Sequence, residues 1–181
     1  LTGREVETFA HRIAKATTDL RYRFRAGDAP FPAWYTVTTR RLGIAVIGFG
    51  WMGQAHSRSY RSIPVYFPDA GITPELVAIS ETAPDRLQLA VDNFGYAHGT
   101  QHWREIIERD DIDVIDITAP NGMHQELAEA AAAAGKHIFC EKPVGIEPAA
   151  TAAIELAARR AGAITGVGYN YRWAPVVQYT R

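Results

Sequence analysis

The residues best suited to do chemistry begin with Gly48, Gly50 and Gly53, set at G-x-G-x-x-G spacing in IAVIGFGWMGQAH directly after four apolar residues. A turn needs one or two glycines. Three at this spacing suit a phosphate arriving against bare backbone: one makes the turn, one admits the pyrophosphate, and one lets a helix sit close to a strand. Phe49, Trp51 and Met52 lie in the same loop and are candidate cofactor contacts. A helix starting near Trp51 would aim free N–H groups and the positive end of its dipole at the anion. Glu81 follows the apolar run LVAIS, where a carboxylate can accept hydrogen bonds from ribose hydroxyls and repel a 2′-phosphate. Thr82 comes next and Arg86 only a turn later, which favours NAD over NADP. Glu81 lies farther from Gly48 than the usual ~20 residues, and a proline-rich loop accounts for the excess. The competing role for Glu81 is to serve the dipole of the following helix.

These positions need a frame that brings them to one edge. From residue 42 the pattern alternates strand and helix. Strands are expected at 43–47, 76–80, 114–118, 137–141 and 164–168, with an edge strand near Tyr96. Helices are expected at 51–62, from Pro84 to the turn at Gly95, at 101–109, at 121–134 closed by Gly135, and at 148–161. Three prolines and Gly71 in PVYFPDAGITP argue against regular structure there. Such alternation predicts an α/β fold, a doubly wound parallel sheet with helices on both faces. The alanine run at 130–134 reads as a strong helix former packed closely on the sheet.

Composition narrows the function class. The chain has 181 residues, 47% hydrophobic, enough for one domain with a core. A net charge of -1 provides no overall attraction to nucleic acid or acidic lipid. Residues 1–41 carry eight Lys/Arg against four Asp/Glu, leaving eleven against sixteen in the remainder. They read as an N-terminal extension holding a short amphipathic helix over about residues 4–19, solvated and without chemistry of its own. A single cysteine, Cys140, rules out an internal disulfide and suits a reducing, cytoplasmic location. No stretch approaches the ~18 apolar residues of a membrane span, and no secretory leader is visible.

The segments GFGWMGQAH, DVIDITAPNGMHQELAEAAAAAGKHIFCEKPVG and GVGYNYRWAPVVQYTR closely resemble the glucose-fructose oxidoreductase, inositol dehydrogenase and MocA family, across residues 42–181. The resemblance implies a Rossmann-type NAD(P)-binding domain over 42–169, with 170–181 starting a second α/β domain that carries substrate contacts. Its most specific element is Glu141-Lys142-Pro143. It implies that Lys142 is catalytic beside the nicotinamide, that Thr118, Ala119, Pro120, Asn121 and His124 line the cofactor cleft, that Glu141 touches the nicotinamide ribose, and that Arg172 closes over the nicotinamide end. The implied cofactor is NAD and the implied substrate a sugar, cyclitol or related polyol. The full-length parent would be a homo-oligomer.

Residue chemistry agrees with these assignments without requiring them. Removing hydride from a secondary alcohol leaves a proton on oxygen that a positioned side chain must take, and Lys142 can polarise that oxygen or relay the proton. Judged on its surroundings in the sequence, Lys142 is equally an ordinary solvated loop lysine. His124 can face a cofactor or simply pack. Tyr169, Tyr171 and Trp173 can stack on a ligand or brace a domain junction. His98 and His102 have helix-like spacing but no evident third ligand, so no metal is expected. The chain begins with leucine and stops at Arg181, inside the expected first helix of the second domain, which reads as truncation. Two function classes remain: an NAD-dependent oxidoreductase or a fragment of one, and a non-catalytic dinucleotide-binding module.

Overall fold

The computed structural model describes residues 40–180. The expected helix at 4–19 lies outside them. In chain order the elements are β1 (Arg40–Ile47), α1 (Trp51–Tyr66), β2 (Ile72–Ser80), α2 (Pro84–Phe94), β3 (His98–Thr100), α3 (Trp103–Ile107), β4 (Val114–Ile117), α4 (His124–Ala133), β5 (His137–Cys140), α5 (Pro148–Ala161), β6 (Thr165–Val167) and α6 (Pro175–Tyr179). Every pairing is parallel, and the strand order is β3-β2-β1-β4-β5-β6. This is the doubly wound Rossmann order, in which the chain reverses direction across the sheet between β1 and β4.

The two-residue period of β1 divides its apolar side chains between two cores. Leu42, Ile44 and Val46 face Tyr60 and Ile63 of α1 and Ala90 of α2. Ala45 and Ile47 face Leu127, Ala128 and Ala131 of α4 and Ile154 and Ala158 of α5. A strand covered on both faces must be apolar throughout, which is why IAVI shows no polar alternation. The alanines of α4 let it approach the sheet closely: Ala128 and Ala131 are fully buried. Each fully buried isoleucine contributes about 2 kcal/mol.

Several expected boundaries move. PVYFPDAGITP is largely regular: α1 runs through Pro64 to Tyr66, a 3-10 turn spans Pro68–Ala70, and β2 begins at Ile72. The buried stripe of Gly53, His56, Tyr60 and Ile63 holds α1 to the sheet past its proline, and the Phe67 N–H closes the end on the Ile63 carbonyl. Pro74 is tolerated in β2 because β3 pairs only with Ala78–Ser80, so the edge beside Pro74 has no partner strand to lose a bond to. The edge strand forms at His98–Thr100, just after Tyr96, which is buried instead. The helix expected at 101–109 is confined to Trp103–Ile107, and the one expected at 121–134 opens with a 3-10 turn, Asn121–Met123. His98 is therefore in a strand and His102 precedes α3, so helical spacing does not relate them. Among the described residues no group of three or more His, Cys, Asp or Glu could hold a metal, and no helix is long and apolar enough to cross a membrane.

Candidate functional site

The candidate positions lie in the segments that follow the carboxyl ends of the strands, with His124 opening α4 and Arg172 a few residues after β6. The glycine loop follows β1, Glu81 follows β2, Thr118 to Asn121 follow β4, and Glu141 and Lys142 follow β5. The β1 and β4 loops flank the switch point, where open α/β sheets form their ligand crevice.

The three glycines have different reasons to be glycine. Gly48 has φ +95°, and a Cβ there would meet the Thr118 and Ala119 backbone at 2.8 Å. At Gly53 a Cβ would come within 2.2 Å of the Gly48 carbonyl oxygen, so this glycine lets α1 sit against the loop. Gly50, with φ -71°, is different: its Cβ would meet no atom within 4 Å. Among the described residues neither strain nor packing requires glycine there. The first N–H groups of α1 have no acceptor within the helix. Among the loop side chains, Trp51 is exposed and Met52 half-buried. Phe49 points into the core, edge-on to Phe94 at 4.9 Å and to Tyr96 at 6.1 Å between ring centres. Its N–H donates to Glu81 Oε2 at 2.8 Å, so Glu81 fastens the loop.

Of the two roles weighed for Glu81, the one at the start of the following helix is visible in its hydrogen bonds. Oε1 accepts from the Ala83 N–H at the start of α2 (2.9 Å) and from Arg86 Nη2 (2.8 Å). Burial opposes its charge, but Arg86 and the Ala83 and Phe49 N–H groups outweigh that and bring its pKa down to about 2. Arg86 thus reaches Glu81 across one helical turn, a pairing that the sequence spacing had left apart. Among the described residues Oε2 carries only the Phe49 bond, leaving a lone pair for a further donor.

Thr118 Oγ1 donates to the Gly48 carbonyl at 2.6 Å, tying the β1 and β4 loops together. Pro120 and Asn121 are exposed beside them, and Ala119 is buried. His124 is fully buried, with Nδ1 2.8 Å from the Pro143 carbonyl and Nε2 2.9 Å from the Ala119 carbonyl. Its ring is a strut between the β4 and β5 loops, with both nitrogens turned to backbone. The ring packs between those two loops.

Lys142 is exposed, and its peptide bond to Pro143 is cis. A cavity of about 380 Å³ brings it together with Tyr169, Asn170, Tyr171 and Arg172. That size suits a small ligand. Two basic groups and two aromatic rings at its mouth fit an anionic or hydroxylated ring compound. Tyr171 is strongly exposed, so neither ring of that pair is consumed by the core.

One constellation escaped the sequence reading. His56, fully buried on α1, places Nδ1 2.8 Å from Asp116 Oδ2 and Nε2 3.1 Å from Glu141 Oε1. Burial alone would lower the His56 pKa; the Asp116 carboxylate, then Glu141, overcome it and raise it to about 9. Burial works against the Glu141 charge as well, but His56 and the Lys142 N–H lower its pKa on balance. The signal was present: His56 shares a helical face with Gly53, Tyr60 and Ile63, and Asp116 breaks the apolar core run DVIDIT. Two opposite charges on buried faces of neighbouring elements are a pair in waiting.

Comparisons with known proteins agree with this frame. Levoglucosan dehydrogenase of Pseudarthrobacter phenanthrenivorans is 40% identical over 138 residues, covering 76% of this chain and 35% of that protein. Myo-inositol 2-dehydrogenase of Thermotoga maritima is 32% identical over 132 residues, covering 73% and 37%. The structure of levoglucosan dehydrogenase in complex with NADH and levoglucosan superposes with a TM-score of 0.72 at 40% identity, covering 76% of this chain and 37% of that one. The chain spans little more than a third of the length of these relatives. Residues 42–169 match the family model GFO_IDH_MocA, described as an oxidoreductase family with an NAD-binding Rossmann fold. This chain belongs to that family.

Proposed function

We propose that residues 42–169 form the cofactor half of an NAD-dependent dehydrogenase, that 170–181 begin its substrate half, and that the reaction moves a hydride between nicotinamide and the secondary alcohol or ketone of a sugar, cyclitol or related polyol. The single observation that carries this reading is Gly50. It is the N-cap of α1, a position where the described residues leave room for a side chain yet none is carried, next to helix N–H groups that lack intrahelical acceptors. The relatives named for levoglucosan and myo-inositol point to the substrate class.

The residues divide the work. The loop 48–53 receives the pyrophosphate on backbone, with Trp51 and Met52 at its rim. Glu81 Oε2 accepts a ribose hydroxyl, and its negative charge disfavours a 2′-phosphate, hence NAD over NADP. Thr118, Ala119, Pro120 and Asn121 wall the cleft, while His124 acts behind it as a strut. Glu141 lies toward the nicotinamide ribose and Arg172 at the outer rim. The bound nicotinamide supplies the hydride acceptor. Lys142, which is exposed, holds and polarises the substrate oxygen through Nζ and relays its proton to solvent as the carbonyl forms.

The test is calorimetric titration of this chain with NADH and NADPH, followed by turnover with a panel of sugars and inositols. The expected result is NADH binding tighter than NADPH. Tighter NADPH binding overturns the role of Glu81, and absence of binding to either overturns the reading. Binding without turnover favours a dinucleotide-binding module over catalysis by this polypeptide alone.

A further inference from the structure

We propose that His56 is a positioning residue for the step from Glu141 to Lys142: anchored through Nδ1 to Asp116, it holds the Glu141 carboxylate through Nε2, and that carboxylate holds the backbone of Lys142. The inference deepens the proposed function and rests on it for the role of Lys142.

The geometry around Glu141 carries it. The Glu141 N–H makes the last rung of the sheet, to the Ile117 carbonyl at 2.9 Å. The next residue leaves the ladder, and its N–H is taken by Glu141 Oε2 at 3.0 Å. The start of the Lys142 loop therefore depends on where one carboxylate points. Three elements fix that direction. His56 of α1 takes Oε1, Asp116 of β4 fixes the other side of the imidazole through both carboxylate oxygens, and Gly168 after β6 leaves the space. A Cβ at Gly168 would lie 2.4 Å from Glu141 Oε1. The sheet period explains the convergence: Asp116 shares the α1 face with Val114, and Glu141 extends the α1-facing row of Phe139.

Stability alone does not account for such an arrangement. Three buried ionisable groups can be replaced by apolar residues of similar volume at little or no loss, whereas removing one member leaves an uncompensated charge. What the charged version adds is direction. Hydrogen bonds at opposite ends of one flat ring define the Glu141 rotamer in a way that packing does not. The other titratable groups that feel the Asp116 charge are Tyr60 on α1, Tyr96 before β3 and Cys140 on β5, all buried. The Tyr60 hydroxyl faces Asp116 but falls outside hydrogen-bonding geometry, and the Tyr96 hydroxyl is engaged by Ser57. None of them substitutes for the imidazole.

The experiment combines three readings on this chain, its His56→Gln variant and its Asp116→Asn variant: ring nitrogen shifts of His56 by NMR, hydrogen exchange of the Lys142 amide, and affinities for NADH and for ADP. At neutral pH both ring nitrogens of His56 are expected to carry protons. In the variants the Lys142 amide should exchange about tenfold faster and NADH should bind about tenfold more weakly, with ADP unchanged, because only the nicotinamide end reaches Glu141. A merely structural His56 would weaken NADH and ADP alike, and that result overturns the proposal. So does an unchanged Lys142 amide in a folded variant. Should neither variant fold, the unsubstituted protein decides: a His56 ring with a single proton at neutral pH overturns the proposal, and a doubly protonated ring with a protected Lys142 amide supports it. Failure of the unsubstituted chain to bind either nucleotide counts against the proposed function, while the ring and amide readings still judge His56.

Discussion

Gly50 permits a prediction in which folding and binding come apart. Replacing it with valine puts a branched side chain where a Cβ would meet nothing within 4 Å, on a residue whose φ of -71° any L-residue adopts. Losing glycine at the N-cap of α1 costs roughly 0.5–1 kcal/mol. Reduced freedom of the unfolded chain returns about 0.4–1 kcal/mol. The net change in stability is therefore close to zero, and the melting temperature should stay within about 3 °C of the parent. Binding is another matter. Pushing a pyrophosphate off the loop forfeits about two charge-assisted hydrogen bonds to backbone, each worth about 1.5–3 kcal/mol. The lower end of that range gives about 3 kcal/mol, or about a hundredfold in Kd for NADH. Gly48→Ala is the contrast: at φ +95°, with backbone atoms 2.8 Å from the new methyl, it should destabilise the fold itself by more than about 1 kcal/mol. Circular dichroism melts and calorimetric titration read both quantities. A folded Gly50→Val protein that binds NADH as the parent does would refute the cradle and the function built on it.

Three further outcomes follow from the same geometry. His56 has its pKa raised from 6.5 to about 9, so its stabilising contribution is full below about pH 6.5 and is lost as pH rises through about 9; denaturant midpoints across that window should fall, and less so in Asp116→Asn. Glu81 has its pKa lowered from 4.5 to about 2, so its contribution is present above about pH 4.5 and lost as pH falls through about 2; Glu81→Gln should flatten the acid limb of the same curve and narrow the preference for NADH over NADPH. Ile115→Ala, at a fully buried position of β4, should lower stability by about 2–5 kcal/mol in urea melts without changing relative affinity for the two cofactors.

Much of the frame was legible because it rests on local signals. Apolar runs followed by glycine or proline mark strands and helix ends whatever surrounds them, so β1, β4, β5, α2 and α5 emerged close to their observed bounds. Where reading failed, distant partners decided. Pro64 sits within a helix because the stripe from Gly53 to Ile63 is pressed onto the sheet, and Pro74 within a strand because β3 stops short of it. Phe49 stands in the glycine loop, but the packing of its ring into the core depends on Phe94 and Tyr96 from elsewhere in the chain. The ring of His124 is held by two carbonyls from separate loops, which no local pattern announces.

Sequence by itself determined the alternation of strands and helices, the glycine loop and the acidic residue after the second strand, since each depends on neighbours a few residues away. Only the folded sheet decided which side chains share a face across strands. The pairing of His56 with Asp116 and Glu141, separated by 60 and 85 residues, arises from parallel register and from the side of the sheet that α1 covers. No local pattern encodes that register; it is set when both cores close at once.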